Sequence, residues 1–170
     1  CIYETTTSGE PMYAAPLTEA VRLERKRCYY DAYHQALKQL LAKKKQRFSK
    51  VYFLDLHSYG MDTGSDAIIG TQFGQTCSAA YSTALRTLLE QEGLRVAENQ
   101  PFAGGYLTKH YGADAQIEAA QIELSYAYYI DHRTFGREAF PEICPAVFAD
   151  AQQHLQSFFK NLLKEQITCH

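Results

Sequence analysis

Apolar and polar positions recur along the chain with two different periods, and these periods predict helices and strands in turn. Residues 1–16 are rich in Thr, Gly and Pro and predict an irregular segment. A long helix is predicted from about Leu17 to Arg47, because apolar residues recur there at helical spacing. The residues that we expect on its buried face are Tyr30, Tyr33, Leu37, Leu40 and Leu41.

Four strands follow the long helix and determine the predicted fold class. They are expected at 51–57, 67–69, 94–98 and 117–126. Strands that alternate with helices are typical of a sheet covered by helices on both faces. We therefore predict an α/β fold with a mostly parallel or mixed sheet. A chain of 170 residues without an internal repeat or a linker is expected to form a single domain over residues 1–170.

Two further helices are predicted among and after these strands. One begins at a cap formed by Thr76 or Ser78 and ends near Glu92, before Gly93. The other is C-terminal and follows a loop with glycine and proline at 136–145. The apolar residues expected to be buried are Tyr81, Leu85 and Leu88 in the first of these helices, and Phe148, Ala151, Leu155, Phe158, Phe159 and Leu162 in the second.

Composition and charge narrow the classes of function. Hydrophobic residues make up 46% of the chain and charged residues 21%, which is typical of a globular protein rather than a disordered one. The net charge is −2 and the basic run at 43–47 lies at a helix end, so we expect no nucleic-acid partner. No apolar stretch approaches the roughly 20 residues needed to span a bilayer, so we expect no membrane partner.

The cysteines bear on location and on chemistry. The chain contains five cysteines, an odd number, and no Cys-x-x-Cys motif. This pattern favours a reducing, cytoplasmic location over a disulfide framework and argues against a thiolate zinc site. Cys77 stands near the start of a predicted helix, where the pKa of a thiol can fall. A cysteine nucleophile is conceivable there, but a small buried residue is the favoured interpretation.

The end of the first predicted strand carries a histidine with a neighbouring carboxylate. Side chains alternate along a strand, so Asp55 and His57 point to the same face. Open α/β sheets bind ligands at the carboxyl ends of their strands. His57 could therefore ligate a metal, with Asp55 as the partner that orients it. A satisfied, partly buried histidine is the alternative, and the local sequence alone slightly favours it.

Polar residues follow several predicted strands, as in an enzyme that assembles its site from strand ends. Glu123 matters most, because an acidic residue within an apolar strand is costly unless it is paired or catalytic. It could act as a general base beside a metal-bound water, whereas the alternative is a structural ion pair with Lys109 or Arg133. The four clusters are Asp55 with His57, residues 71–76, residues 99–110, and Gln121 with Glu123.

The other histidines give weaker signals. His34 follows Tyr33 on the long helix and is interpreted as a helix-packing residue. His110 is either a substrate contact or a hydrogen-bonded loop residue. No role is assigned to the histidines at 132, 154 and 170.

Several segments along the chain occur together in a recognisable order. They are 5–13 (TTTSGEPMY), Tyr33-His34, 55–58 (DLHS), 69–71 (IGT) with Thr76-Cys77, 104–112 (GGYLTKHYG) and 121–124 (QIEL). Together they resemble the N-formylglutamate amidohydrolase (deformylase) family, and the resemblance covers nearly the whole chain. It implies a fold similar to that of zinc carboxypeptidases. The implied reaction is hydrolysis of the formyl amide of N-formylglutamate to formate and glutamate, in histidine degradation.

The resemblance also implies roles for individual residues. His57 matches a metal-ligand histidine of the family, so a divalent cation such as Zn²⁺ is the implied cofactor. Glu123 matches the carboxylate that activates the metal-bound water and passes its proton to the leaving nitrogen. The segment expected to hold the carboxylates of a small-molecule substrate contains Asn99, Tyr106 and Lys109. Asp55 and Gln121 are expected to contact and orient His57 and Glu123 without touching the substrate.

Departures from the family leave alternatives open. A segment of the Pro-His-Ser-Gly type, which supplies the first metal ligands, is absent, so we expect this chain to be the C-terminal part of a longer protein or, alternatively, a metal-free relative. Glu118 replaces a frequent His, Lys109 a common Arg, and Ala32 a frequent Pro. The alternatives are a metallocarboxypeptidase or deacylase acting on another acyl amino acid or peptide, and a metal-free ligand-binding protein. The sequence determines neither the metal nor the oligomeric state.

Overall fold

A computed structural model describes residues 2–6, 9–130 and 144–168, and it divides the chain into two compact units, Cys1–Ser49 and Lys50–His170. The prediction of a single domain stays a prediction. The helices and strands are α1 (Glu19–Arg25), α2 (Ala32–Lys45), β1 (Val51–Tyr59), β2 (Ala67–Gly70), α3 (Ala79–Gln91), β3 (Val96–Glu98), α4 (Tyr106–Tyr111), β4 (Ile117–Ser125), α5 (Tyr126–Tyr129) and α6 (Pro145–Thr168), with a π-helical segment (Lys26–Asp31) between α1 and α2.

The first unit consists of the predicted long helix and the segment before it. Its extent is confirmed, since helical structure continues from α1 through the π-helical segment to the end of α2. The expected buried face is wrong in most of its positions, because Tyr30, Tyr33 and Leu40 are exposed and only Leu41 is buried. Of the five expected residues only Tyr30 lies in the π-helical segment, where the turn is wider than the 3.6 residues that the prediction assumed.

His34 occupies the buried position that the tyrosines do not fill. Its ring is 92% buried and its centroid lies 4.3 Å from that of Tyr30 and 5.4 Å from that of Tyr33. These contacts agree with the interpretation of His34 as a helix-packing residue.

The second unit is built on a mixed sheet of four strands in the order β1-β4-β2-β3. β4 pairs in parallel with β1 and antiparallel with β2, and β2 pairs in parallel with β3. The predicted α/β fold with a mixed sheet is therefore confirmed. Two of the strands differ in length from the prediction: β1 continues to Tyr59, and β3 contains only three residues.

Helices lie against both faces of this sheet. Ala120 and Ile122 of β4 face α3 and α6 in the main core, together with Leu85, Leu89 and Phe158. On the opposite face Phe53 of β1 contacts Tyr111 of α4, with ring centroids 5.5 Å apart. The main hydrophobic core thus lies on one face of the sheet, and the polar residues discussed below lie on the other.

The predicted limits of α3 are confirmed. The Ser78 side chain caps it by accepting a hydrogen bond from the Tyr81 N–H, and Gly93 follows its end with a φ of +83°. Its three expected core residues are buried.

The other expected helical features are confirmed in part. In α6, Ala151, Phe158 and Leu162 are buried as expected, whereas Phe148 is 42% exposed, since it lies in the first turn. α4 was not predicted, because six residues are too few to show a helical period. The expected loop at 136–145 lies mostly outside the described residues, and Pro145 already begins α6.

None of the helices in the described part of the chain combines the length and the apolar character needed to span a bilayer. Cys28, Cys77 and Cys144 are free thiols.

Candidate active site

Two of the polar clusters are brought side by side by the pairing of β1 with β4. The register places Asp55 opposite Gln121 and His57 opposite Glu123. Because the strands are parallel and side chains alternate, all four point to the face of the sheet opposite the main core. The pairing thus assembles a carboxylate, an imidazole, an amide and a second carboxylate near the carboxyl ends of two strands.

The first pair consists of Asp55 and His57. The distance from His57 Nε2 to Asp55 Oδ2 is 3.0 Å, and the imidazole is 45% exposed while the carboxylate is nearly buried. The two atoms are close without being aligned as a hydrogen bond, so Asp55 Oδ2 is a buried acceptor that receives no hydrogen bond from the described residues. An orphaned buried oxygen is uncommon and points to a group that a ligand completes.

Glu123 is the buried carboxylate of the site. Only 8% of it is exposed, and its Oε1 accepts a hydrogen bond of 2.6 Å from Gln121 Nε2. Burial raises the pKa of the Glu123 carboxyl above its ordinary value and outweighs the lowering effects of His57 and of the Gln121 hydrogen bond. Within the described residues it forms no ion pair with Lys109, and Arg133 lies outside them.

The paired glycines after β3 join the site through Gln121. The N–H of Gly105 donates to Gln121 Oε1 over 2.5 Å. Gly104 has a φ of +110° and passes so close to β2 that a Cβ on Gly70 would lie 2.5 Å from its backbone nitrogen. The close backbone approach expected of this loop is therefore made, in the structure, to β2 of the same chain.

Asn99 links two further clusters. Its side-chain oxygen accepts hydrogen bonds from the N–H of Thr71, the hydroxyl of Thr71 and the N–H of Phe73, at 2.8, 3.2 and 3.1 Å. Asn99 therefore organises the loop after β2, and its carbonyl oxygen is already engaged. Whether its amide also contacts substrate stays a prediction.

The other expected substrate contacts lie on α4. Lys109 is exposed, and Tyr106 is exposed and stacked on His110, with ring centroids 5.2 Å apart and planes 11° apart. His110 also contacts Tyr111 edge-on. Tyr106 follows Gly105 directly and Lys109 lies one turn later on α4, so both are positioned by the same loop that binds Gln121.

Comparison with known proteins identifies the family. A sequence model of the N-formylglutamate amidohydrolase family matches residues 1–130. The chain belongs to this family. The N-formylglutamate deformylases of Pseudomonas aeruginosa and Pseudomonas putida are 28% identical over 142 residues and 29% identical over 139 residues, which cover 76% and 75% of this chain and 53% and 52% of those proteins. The chain spans about half the length of the curated relatives it matches.

A solved structure supports the fold. The N-formylglutamate amidohydrolase from Ralstonia eutropha JMP134 superposes with a TM-score of 0.77 and is 24% identical, covering 92% of this chain and 58% of that chain. The match shows that the two chains share a fold.

The residues of the site can be compared with the ligands that a zinc ion requires. The His57 imidazole is a group of the type that binds Zn²⁺, and the Asp55 carboxylate lies beside its Nε2. Catalytic zinc usually takes about three protein ligands, and the described residues contain no group of three or more His, Cys, Asp or Glu side chains able to hold a metal ion. The fit is therefore incomplete on these residues alone.

Cys77 and Glu118 do not contribute to the site of this family member, and for Cys77 this agrees with its favoured interpretation as a small buried residue. Burial raises the pKa of the Cys77 thiol to about 11, so the thiolate that a cysteine nucleophile requires is scarce at neutral pH. Glu118 points to the other face of the sheet, where it accepts hydrogen bonds from Lys50 at 2.9 Å and from the Ser78 N–H. This replacement of a frequent His therefore stabilises the start of α3 and does not enter the site.

Sequence reasoning missed Gln72. Its Nε2 donates to the carbonyl oxygen of Gly104 and its N–H donates to that of Ala103 over 2.6 Å. These partners are more than thirty residues apart in sequence, and no local pattern marks such a contact.

Proposed function

We propose that the protein hydrolyses the formyl amide of N-formylglutamate or of a similar N-acyl amino acid. The observation that carries the proposal is the juxtaposition of the buried Glu123 carboxylate with the exposed His57 imidazole across β1 and β4. Family membership and the names of the relatives support the amide substrate.

Glu123 is proposed to handle the proton. In amide hydrolysis, water adds to the formyl carbon, the C–N bond breaks, and the leaving nitrogen gains a proton. A carboxylate whose pKa is raised by burial is suited to take a proton from the attacking water and return it to that nitrogen. Gln121 holds one carboxylate oxygen in place, which leaves Oε2 for the reacting proton.

We propose that His57 contributes one ligand to a divalent cation, with Zn²⁺ the first candidate. Asp55 would orient the imidazole through Nε2, which leaves Nδ1 for the cation, and further ligands would have to come from residues other than those described. When bound, such a cation polarises the formyl oxygen and lowers the pKa of the attacking water.

The substrate carboxylates are proposed to bind near α4. Lys109 supplies an exposed positive charge, Tyr106 is an exposed residue with a hydroxyl group, and both follow the loop that is bonded to Gln121. Asn99 contributes through the loop that it organises. A compound with a free amino-acid carboxylate fits this arrangement better than a neutral amide does.

The decisive experiment measures formate release from N-formylglutamate by the intact protein, together with its metal content. Activity that is lost with a chelator and restored by Zn²⁺ is the expected result. Release of another acyl group in preference to formate would replace this substrate by that of a related deacylase. A protein that retains no metal and binds acyl amino acids without turnover would be a metal-free ligand-binding relative and would overturn the proposal.

Three broader expectations accompany this function as proposals. We propose that residues 1–170 form part of one amidohydrolase domain and that its fold is of the zinc-carboxypeptidase type, because parallel strands carry the expected metal ligand and the expected base. We also propose a reducing, cytoplasmic compartment, which the three free thiols support.

A further inference from the structure

The peptide group between Gly104 and Gly105 is held at both ends by glutamine side chains. Its carbonyl oxygen accepts from Gln72 Nε2, and its N–H donates to Gln121 Oε1 over 2.5 Å. Because these two groups belong to one planar unit, a rotation of this peptide would break both hydrogen bonds at once.

The chemistry of the partners determines the orientation of both side-chain amides. A backbone N–H can only donate, so the oxygen of Gln121 must face Gly105, and its nitrogen must face Glu123. A carbonyl oxygen can only accept, so the nitrogen of Gln72 must face Gly104. Every donor along this chain of hydrogen bonds therefore points towards the Glu123 carboxylate, where the last bond is charge-assisted.

Packing around these hydrogen-bonded groups restricts their movement. Gln121 and Glu123 are only 4% and 8% exposed. A Cβ on Gly105 would lie 3.1 Å from Gln121 Oε1, and the backbone of Gly104 is pressed against Gly70. A displacement of Gly104 and Gly105, which we call the glycine loop, must therefore move the Gln121 amide and, with it, the Glu123 carboxylate.

We infer that Gln121 is a positioning residue that couples the glycine loop to the proton-transferring carboxylate of Glu123. This inference rests on the proposed function. α4 begins directly after Gly105, and the Lys109 N–H donates to the Gly105 carbonyl over 3.1 Å. In this arrangement substrate bound at α4 holds the glycine loop in position, and the loop orients Gln121. Gln121 in turn holds Glu123 Oε1 by its hydrogen bond, so that Oε2 takes the proton.

The test compares steady-state kinetics of the intact protein with those of Gln121→Met and Gln72→Met. Methionine has a similar length but can make neither hydrogen bond. Gln121→Met should lower kcat roughly ten- to a hundredfold, the usual cost of losing a partner that orients a reacting group, with little change in KM. Gln72→Met should lower kcat in the same direction by a smaller factor. Gln91→Met, at an exposed position at the end of α3, is the control and should leave kcat unchanged.

A second arm shows whether the effect passes through Glu123. In a Glu123→Gln background, Gln121→Met should cause no further loss of the residual turnover, whereas independent roles would give additive losses. Additive losses, or a Gln121→Met protein with unchanged kcat, would overturn the inference and leave the proposed function standing. A fully active Glu123→Gln protein would instead overturn the proposed function. If Gln121→Met fails to fold, Gln72→Met decides, because its side chain lies in a loop outside the sheet, and an unchanged kcat there overturns the coupling.

Discussion

Glu123 lies opposite His57 on a neighbouring parallel strand, and the two side chains share the polar face of the sheet. The carboxylate is buried while the imidazole is half exposed. This combination separates two roles. An exposed imidazole is accessible to a metal ion, whereas a buried carboxylate has a raised pKa suited to proton transfer.

Glu123→Gln is expected to keep the bound metal and to lower turnover by at least about a hundredfold. Glutamine is nearly isosteric, and its oxygen can still accept the hydrogen bond from Gln121 Nε2, so packing should survive. Its amide cannot take a proton from water. Melting temperature, bound metal and turnover should be measured on one preparation. A less stable protein with unchanged turnover would instead indicate a structural role for the carboxylate.

His57→Ala is expected to abolish metal retention and activity while leaving the melting temperature nearly unchanged. The imidazole is 45% exposed, so its removal costs little buried apolar surface. Metal analysis after dialysis, together with turnover, checks this. Ser58→Ala is a suitable control, because Ser58 is the next residue on β1 and its side chain points to the opposite face. A metal-loaded, active His57→Ala protein would remove His57 from the ligand set.

Lys109→Ala is expected to raise KM for N-formylglutamate more than it lowers kcat. An exposed charge that meets a substrate carboxylate contributes mainly to binding. The effect should therefore shrink for a neutral formyl-amino-acid amide, and Lys160→Ala on α6 should have none. Equal losses for charged and neutral substrates would show that Lys109 supports the structure of α4 and not the recognition of charge.

The sequence predicted those features of the site that depend on neighbours along the chain. Strand alternation placed Asp55 with His57 and Gln121 with Glu123, because side chains of a strand alternate whatever the rest of the fold does. The helical period likewise located α3, together with its cap at Ser78. Local geometry is sufficient for such assignments.

Contacts between distant segments could not be predicted in the same way. The antiparallel pairing of β2 with β4 places Gly70 opposite Gln121, and it depends on strands that are about fifty residues apart in sequence. The bond from Gln72 to Gly104 is of the same kind. The π-helical segment also left no apolar pattern, and it contains only Tyr30 of the expected buried face, since the other four residues lie in α2.

Gly70→Ala is expected to destabilise the protein by about 1–3 kcal/mol, the usual cost of overpacking. Its new Cβ would lie 2.5 Å from the Gly104 nitrogen, so β2 or the glycine loop must shift. Gly64→Ala is the comparison, because Gly64 has open space around it and a φ of +72°, a left-handed conformation that Gly70 does not have. Gly64→Ala therefore gives the cost of that conformation without a steric clash, about 1 kcal/mol. Chemical denaturation should show the larger loss for Gly70→Ala, and equal losses would contradict the steric explanation.

Glu118→Gln is expected to lower stability at neutral pH by about 1–2 kcal/mol and to have little effect in acid. Burial alone would raise the pKa of the Glu118 carboxyl, but hydrogen bonds from Lys50 and from Ser78 outweigh it and hold the pKa below its ordinary value of 4.5. A lowered folded-state pKa means that ionised Glu118 stabilises the fold above pH 4.5, and that this contribution is lost as the pH falls through the folded-state value. The melting temperatures of the unchanged protein and of Glu118→Gln should therefore differ at pH 7 and converge as Glu118 becomes protonated.

Glu90→Gln, at an exposed site on α3, should show a smaller difference at neutral pH. A deficit for Glu118→Gln that stays constant down to the most acidic pH would show that lost packing, and not charge, is responsible.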